Sequence, residues 1–182
     1  INLLSPSSHP CQVLSDIFTV EEVKKKPISK LDICWIGDCN NVLNSLIATS
    51  VKFKFNLNVA SPKSYRPPKF VMDWVKKNKR KINFFVDPIK AVKNADVIFS
   101  DKVVSLNDKV NKGKKIKDFK NYRINSSLMK KTKKNSTIFL HCLPRGNEVS
   151  EDVFLGKQSK VWQQALNRTH VQKSILLYCF GK

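Results

Sequence analysis

Three short strings hold side chains able to do chemistry, and each directly follows a run of apolar residues. "TIFLHC" (137–142) ends in a thiol, Cys142, before a Leu143-Pro144 turn. "DVIFSD" (96–101) ends in a carboxylate, Asp101, and "LDICWIG" (31–37) runs into Asp38, Cys39 and the amides Asn40 and Asn41. A carboxylate accepts protons and N–H donors. A thiol is a weak donor that becomes a nucleophile only when ionised, and an amide offers one donor end and one acceptor end. Each type also has a purely structural use: Asn40 and Asn41 suit a helix cap, Asp101 a turn, and Cys142 a buried, inert position. "GDCNN" is not a dinucleotide fingerprint, because Cys39 stands where that motif needs its second glycine.

The runs that carry these residues read as strands. Short, continuously apolar strands are expected at 31–37, 56–62, 82–87, 96–101 and 137–142. Helical patterns at 7–26, 40–53, 70–78, 88–95 and 127–132 separate or flank them, with Ser7 or Ser8 as cap of the first and Pro10 in its first turn. "YRIN" (122–125) reads as a further short strand, 102–118 as a polar Lys-rich segment, and the end of the chain as mostly one helix. Alternation of this kind predicts the α/β class, an open parallel sheet with helices on both faces. Ligands of such sheets bind beyond the carboxyl ends of the strands. Asn41, Asp101 and Cys142 are therefore expected to share one crevice.

Bulk composition narrows the alternatives. The 182 residues suffice for one domain with a real core, and 41% apolar with 26% charged residues is a globular balance. No apolar run approaches the roughly 20 residues of a membrane span. Five cysteines, an odd number without a C-x-x-C pair, argue against a disulfide framework or zinc site and for a reducing, cytoplasmic setting. The net charge of +20 raises the question of a nucleic-acid partner. However, only five of the 34 basic residues are Arg, and "VKKNKRKINFF" (75–85) reads as a solvated helix end leading into a strand. No nucleic-acid partner is expected, since such faces favour Arg forks and interleaved aromatics.

Taken together, the motifs resemble those of the ornithine carbamoyltransferase family across essentially the whole chain. The family marks H-P-x-Q, W-I-G-D-x-N-N, D-x-x-x-S-M-G, H-C-L-P and E-N-R stand here as His9–Gln12, Trp35–Asn41, Asp101–Asn107, His141–Pro144 and Leu166–Arg168. The resemblance implies a Rossmann-like ornithine-binding domain and transfer of the carbamoyl group of carbamoyl phosphate to the δ-amine of L-ornithine. It further implies no metal or organic cofactor and, for the intact protein, a homotrimer. A sister enzyme acting on putrescine or N-acetylornithine, and a non-catalytic basic module of the same fold, are the alternatives.

Roles carry over residue by residue. His9, Pro10, Cys11 and Gln12 match the segment that meets carbamoyl phosphate, as do Arg168 and the pair Cys142 and Leu143. A helix N-terminus at His9–Gln12 suits an anion. Asn41, Asp101, Ser105 and Leu106 match ornithine-binding positions, with Asp101 and Cys142 as the catalytic pair. The loop departs from the family pattern: "DKVVSLN" has Val103, Leu106 and Asn107 where Trp, Met and Gly are usual, and "LNR" replaces E-N-R. By the same resemblance, residues 1–29 join the chain to a carbamoyl phosphate domain that is missing. Residues 30–160 form the ornithine-binding domain, and 161–182 form a return helix whose apolar face is left exposed.

Overall fold

The computed structural model describes residues 2–104 and 111–181. Five parallel strands, β1 (Asp32–Ile36), β2 (Asn56–Ala60), β3 (Asn83–Phe85), β4 (Val97–Ser100) and β5 (Ile138–His141), form one sheet in the order β3-β2-β1-β4-β5. Helices α1 (Pro10–Lys24), α2 (Asn41–Phe53) and α3 (Lys69–Lys77) line one face. The other face carries α4 (Pro88–Ala91), α6 (Ser126–Lys130) and α7 (Glu151–Phe154). Two further helices are α5 (Lys112–Asp118) and α8 (Val161–Cys179).

The strands are apolar throughout because both faces are covered. Ile33 and Trp35 of β1 enter the core under α1 and α2, while Cys34 and Ile36 enter the opposite core with Ala91, Val92 and Phe139. Successive side chains of a strand point to opposite faces, so a doubly covered sheet needs apolar residues at every position. No helix among the described residues is long and apolar enough to cross a membrane.

Most expected elements are present, with strands shortened by a residue or more at their ends. The first helix begins three residues later than its pattern suggested. Neither Ser7 nor Ser8 caps it: the N-cap is His9, with Pro10 as the first helical residue and no side-chain cap. Ser8 instead bonds Ser5 in the preceding turn. "YRIN" is not a strand. A 3₁₀ turn covers Lys120–Tyr122, and Ile124 makes only an isolated bridge to Val149.

The Lys-rich segment holds an unforeseen helix, α5. Asn111 caps it by accepting from Lys114 N at 3.2 Å, and the buried Lys115 reaches Asp38 at 2.6 Å. Tertiary pairing here overrides the weak local propensity of a sequence containing Gly113.

Helix α8 packs against α1 through polar groups. Asn167 Nδ2 donates to Thr19 Oγ1 at 3.0 Å and Glu22 Oε2 at 2.9 Å. Its outer side exposes Trp162, Leu166, Leu176 and Leu177.

Candidate active site

The sheet reverses direction of growth between β1 and β4, so the loops after these two strands separate and leave a crevice. Gly37 closes β1 at φ 141°, a conformation that side chains rarely tolerate, and its N–H bonds Ala60 O. Ser100 Oγ donates to Ile36 O at 2.7 Å and fastens the end of β4 to the end of β1. Trp35 Nε1 donates to Asp38 O at 3.1 Å and holds the loop that follows.

Asn40 has two tasks in this loop. Its Oδ1 caps α2 by accepting from Val42 N at 3.0 Å and Leu43 N at 3.1 Å. Its Nδ2 donates to Asp101 Oδ2 at 2.7 Å. The cap and the carboxylate contact therefore fix each other. Asn40→Ala is expected to cost about 1 kcal/mol of stability through the lost cap and to free Asp101 as well. Asn40→Ser, whose hydroxyl can cap, should recover melting temperature but not the rigidity of Asp101. Equal recovery of both in thermal melts and ligand-binding assays would separate Asn40 from the site.

α2 also places the beginning of α1. Asn41 Nδ2 donates to Ser5 O at 2.8 Å, Asn44 Nδ2 to Ser7 O at 3.1 Å, and His9 N donates to Ser45 Oγ at 2.8 Å. The uncapped N-terminus of α1 thus faces the crevice, an arrangement that favours anions.

The resulting cleft has a volume of about 750 Å³. His9, Gln12 and Arg168 line one side, and Asn41, Asp101, Cys142 and Leu143 complete it. Cys11 does not line it: the side chain is buried, with Sγ 3.7 Å from Asn2 O. Pro10 does not line it either and serves to start the helix. Ser105 and Leu106 lie outside the described residues. Leu143 is exposed and joined to Pro144 by a cis peptide bond.

Burial and neighbouring charges decide the protonation states. Burial pushes the Asp101 carboxyl up, against the Lys102 N–H, His141 and the Asn40 amide, which favour its ionised form. The Cys142 thiol is raised well above its ordinary value by burial and by the nearby carboxylates of Asp101 and Asp16. It is therefore a neutral donor near pH 7 rather than a thiolate nucleophile. Burial and the Arg168 charge lower His9, whose buried Nδ1 has no hydrogen-bond partner among the described residues.

Two buried carboxylates of the site escaped the sequence reading. Asp16 Oδ1 accepts from Gln12 Nε2 at 2.8 Å and from Gln164 Nε2 at 2.7 Å. The signal available was an acidic residue inside the apolar stripe of α1, four after Gln12. Glu148 lies 3.0 Å from His141 Nε2, without hydrogen-bond alignment, and accepts from the N–H groups of Gly146 and Val103. Burial works to raise Glu148, but His141 and the Gly146 N–H outweigh it and hold the carboxyl low. Glu148 thereby ties the loop after β4 to the loop after β5.

Comparison with known proteins identifies the family. The profile described as "Aspartate/ornithine carbamoyltransferase, Asp/Orn binding domain" matches residues 29–179. The chain is 42% identical over 180 residues to an ornithine carbamoyltransferase of Ruthia magnifica, covering 98% of the chain and 58% of the relative. It is 43% identical to one from Rhodopseudomonas palustris, covering 100% and 58%. Among solved structures, the anabolic ornithine carbamoyltransferase of Campylobacter jejuni superposes with TM-score 0.90 at 35% identity, covering 98% of this chain and 60% of that one. The Pyrococcus furiosus enzyme gives 0.88 at 38% identity, covering 97% and 58%. The chain thus spans less than two thirds of the length of these relatives, and it belongs to the aspartate/ornithine carbamoyltransferase family, to whose Asp/Orn binding domain residues 29–179 correspond.

Proposed function

We propose that the intact protein transfers the carbamoyl group of carbamoyl phosphate to the δ-amine of L-ornithine, giving L-citrulline and phosphate. The observation that carries this reading is one cleft with two chemically different walls: an uncapped helix N-terminus with Gln12 and Arg168 for an acyl phosphate, and Asp101 with Asn41 for an amino acid. In the reaction, the amine lone pair attacks the carbonyl carbon and forms the C–N bond. The C–O bond to phosphate breaks, phosphate leaves with the electron pair, and the nitrogen loses a proton.

Each wall has a physical task in this scheme. The α1 N-terminus and the Arg168 guanidinium stabilise negative charge on the phosphate and carbonyl oxygens. The Leu143 carbonyl accepts an N–H from a substrate. Asp101, held by the Asn40 amide, accepts from the amine and aims its lone pair. Orientation of two bound substrates can lower a barrier by roughly 7–11 kcal/mol in favourable cases.

The reading extends to organisation. A carbamoyl phosphate domain supplies the remaining phosphate contacts, residues 1–29 form the link to it, and 161–182 form the helix that returns to it. The intact protein is a trimer in the cytoplasm, where the five unpaired cysteines of this chain stay reduced. The 182-residue chain by itself forms no citrulline. Ornithine, putrescine and N-acetylornithine, each supplied with carbamoyl phosphate to the intact protein, test the reaction class and the amine together. Citrulline as the dominant product supports the reading; no carbamoylated product from any of the three sinks it.

Arg168→Ala should raise KM for carbamoyl phosphate by about 10- to 150-fold, the value of a charge-assisted hydrogen bond. Initial rates with carbamoyl phosphate varied at saturating ornithine check this, and an unchanged KM removes Arg168 from the site.

A further inference from the structure

A chain of amides with a defined direction runs from the sheet to the cleft. His141 N donates to Gln164 Oε1 at 3.0 Å. A backbone N–H only donates, so the oxygen end of Gln164 must face it and the NH₂ end must face away. That NH₂ end meets Asp16 Oδ1 at 2.7 Å, so Asp16 presents a lone pair there. Gln12, whose Nε2 lies 2.8 Å from the same oxygen, must then also present its NH₂ end. Its Oε1 remains for the cleft, with no protein hydrogen bond among the described residues. All four groups are buried: Gln12, Asp16, His141 and Gln164 are each at most 3% exposed. In such surroundings a reversed amide would leave donors facing donors, which is costly.

We propose that Asp16 is a positioning residue: it dictates which end of the Gln12 amide faces the cleft, and so makes that wall select an acyl phosphate bearing an N–H₂ group. The proposal rests on the carbamoyl-transfer reading for the identity of the ligand, but the direction of the amides does not. Asp16 itself touches no substrate. Its carboxyl works in either protonation state, because Oδ1 can accept while Oδ2 carries a proton, and Asn in its place can do the same through its own Oδ1. The consequence is a selectivity that neither charge nor size supplies. Carbamoyl and acetyl phosphate have nearly the same shape, yet only the former can donate to Gln12 Oε1.

The test compares Asp16→Asn with Asp16→Leu and with Asp16→Ser, whose hydroxyl is too short to hold both amides. In the intact protein, the ratio of acetyl phosphate to carbamoyl phosphate dissociation constants is measured by competition. Asp16→Asn should keep the wild-type ratio, while Asp16→Leu and Asp16→Ser lower it by about tenfold, the worth of one ligand hydrogen bond. The same proteins are examined by NMR for solvent exchange of the Gln12 and Gln164 side-chain NH₂ groups. These should exchange slowly in wild type and Asp16→Asn and fast in the other two. A folded Leu or Ser variant with an unchanged ratio overturns the proposal. So does Asp16→Asn behaving like the Leu variant, since charge would then be the active property. If wild-type protein binds neither phosphate but the NH₂ exchange follows the expected pattern, the carbamoyl-transfer reading fails and the amide positioning stands.

Discussion

Under the proposed carbamoyl transfer, Asp101→Asn is expected to lower kcat/KM for ornithine by about 10²–10⁴-fold, the usual worth of a positioned acid–base group, and to leave KM for carbamoyl phosphate nearly unchanged. The split follows from the two walls of the cleft. Asp101 stands at the β4 end, held by the Asn40 amide at 2.7 Å, whereas Gln12 and Arg168 belong to helices α1 and α8. An asparagine at 101 removes the negative charge that an incoming amine meets. Its Oδ1 can still accept from the Asn40 amide, but an NH₂ donor replaces the second carboxylate oxygen. The Cys142 thiol loses a neighbouring carboxylate charge in the same step. Steady-state kinetics with each substrate varied in turn gives the answer. A variant with wild-type kcat/KM for ornithine would place the amine elsewhere, and an equal loss in both substrates would mean that the substitution collapsed the cleft.

The second large effect is on stability and depends on pH. Burial raises the Asp16 carboxyl from 3.8 to about 7, against the favourable contacts from Gln164, Gln12 and Arg168 and with the unfavourable charge of Asp101. The folded state therefore prefers Asp16 protonated. Below pH 4 both folded and unfolded chains carry the proton, and the fold has its full advantage from this group. Between about pH 4 and 7 the unfolded chain ionises while the folded chain resists, so stability falls as pH rises. A shift of about three units corresponds to about 4 kcal/mol at most, a large fraction of the roughly 5–15 kcal/mol that stabilises a domain.

Asp16→Asn removes the titration and keeps the acceptor for both glutamines. Relative to wild type, the variant should gain stability steadily from pH 4 to 7 and level off above. Glu148 and Asp96 are held low and so lose stability on acidification instead, but both proteins share them and the difference between the two cancels their contribution. Urea melts at pH 5 and pH 8 decide the matter. A stability difference that does not change with pH shows that Asp16 folds with an ordinary carboxyl.

Much of this site is legible in the order of residues. Strands β1, β4 and β5 read as continuous apolar runs because the sheet is covered on both faces, and their ends announce Asn41, Asp101 and Cys142 as neighbours of a crevice. Arg168 could be named only because "LNR" resembles a known motif. Local pattern failed where long-range partners decide the outcome. Lys115 turns a Lys-rich stretch into helix α5 by reaching Asp38, 77 residues away. Ser7 and Ser8 look like caps in isolation, but α2 holds the segment before α1 so that His9 becomes the cap.

The sequence by itself determined the class of fold, the approximate strand ends and the family. Periodicity reports which face of an element is buried, and motif spacing reports which residues follow which strand. Neither reports which strand lies beside which. The order β3-β2-β1-β4-β5, which brings the ends of β1 and β4 together and opens the cleft between their loops, belongs to the tertiary structure alone. The same holds for Asp16. Its partner Gln164 lies 148 residues along the chain, and only the packing of α1 against α8 buries the carboxyl between two amides. Burial in low dielectric then gives an acidic side chain of a helix both its raised pKa and its command over Gln12.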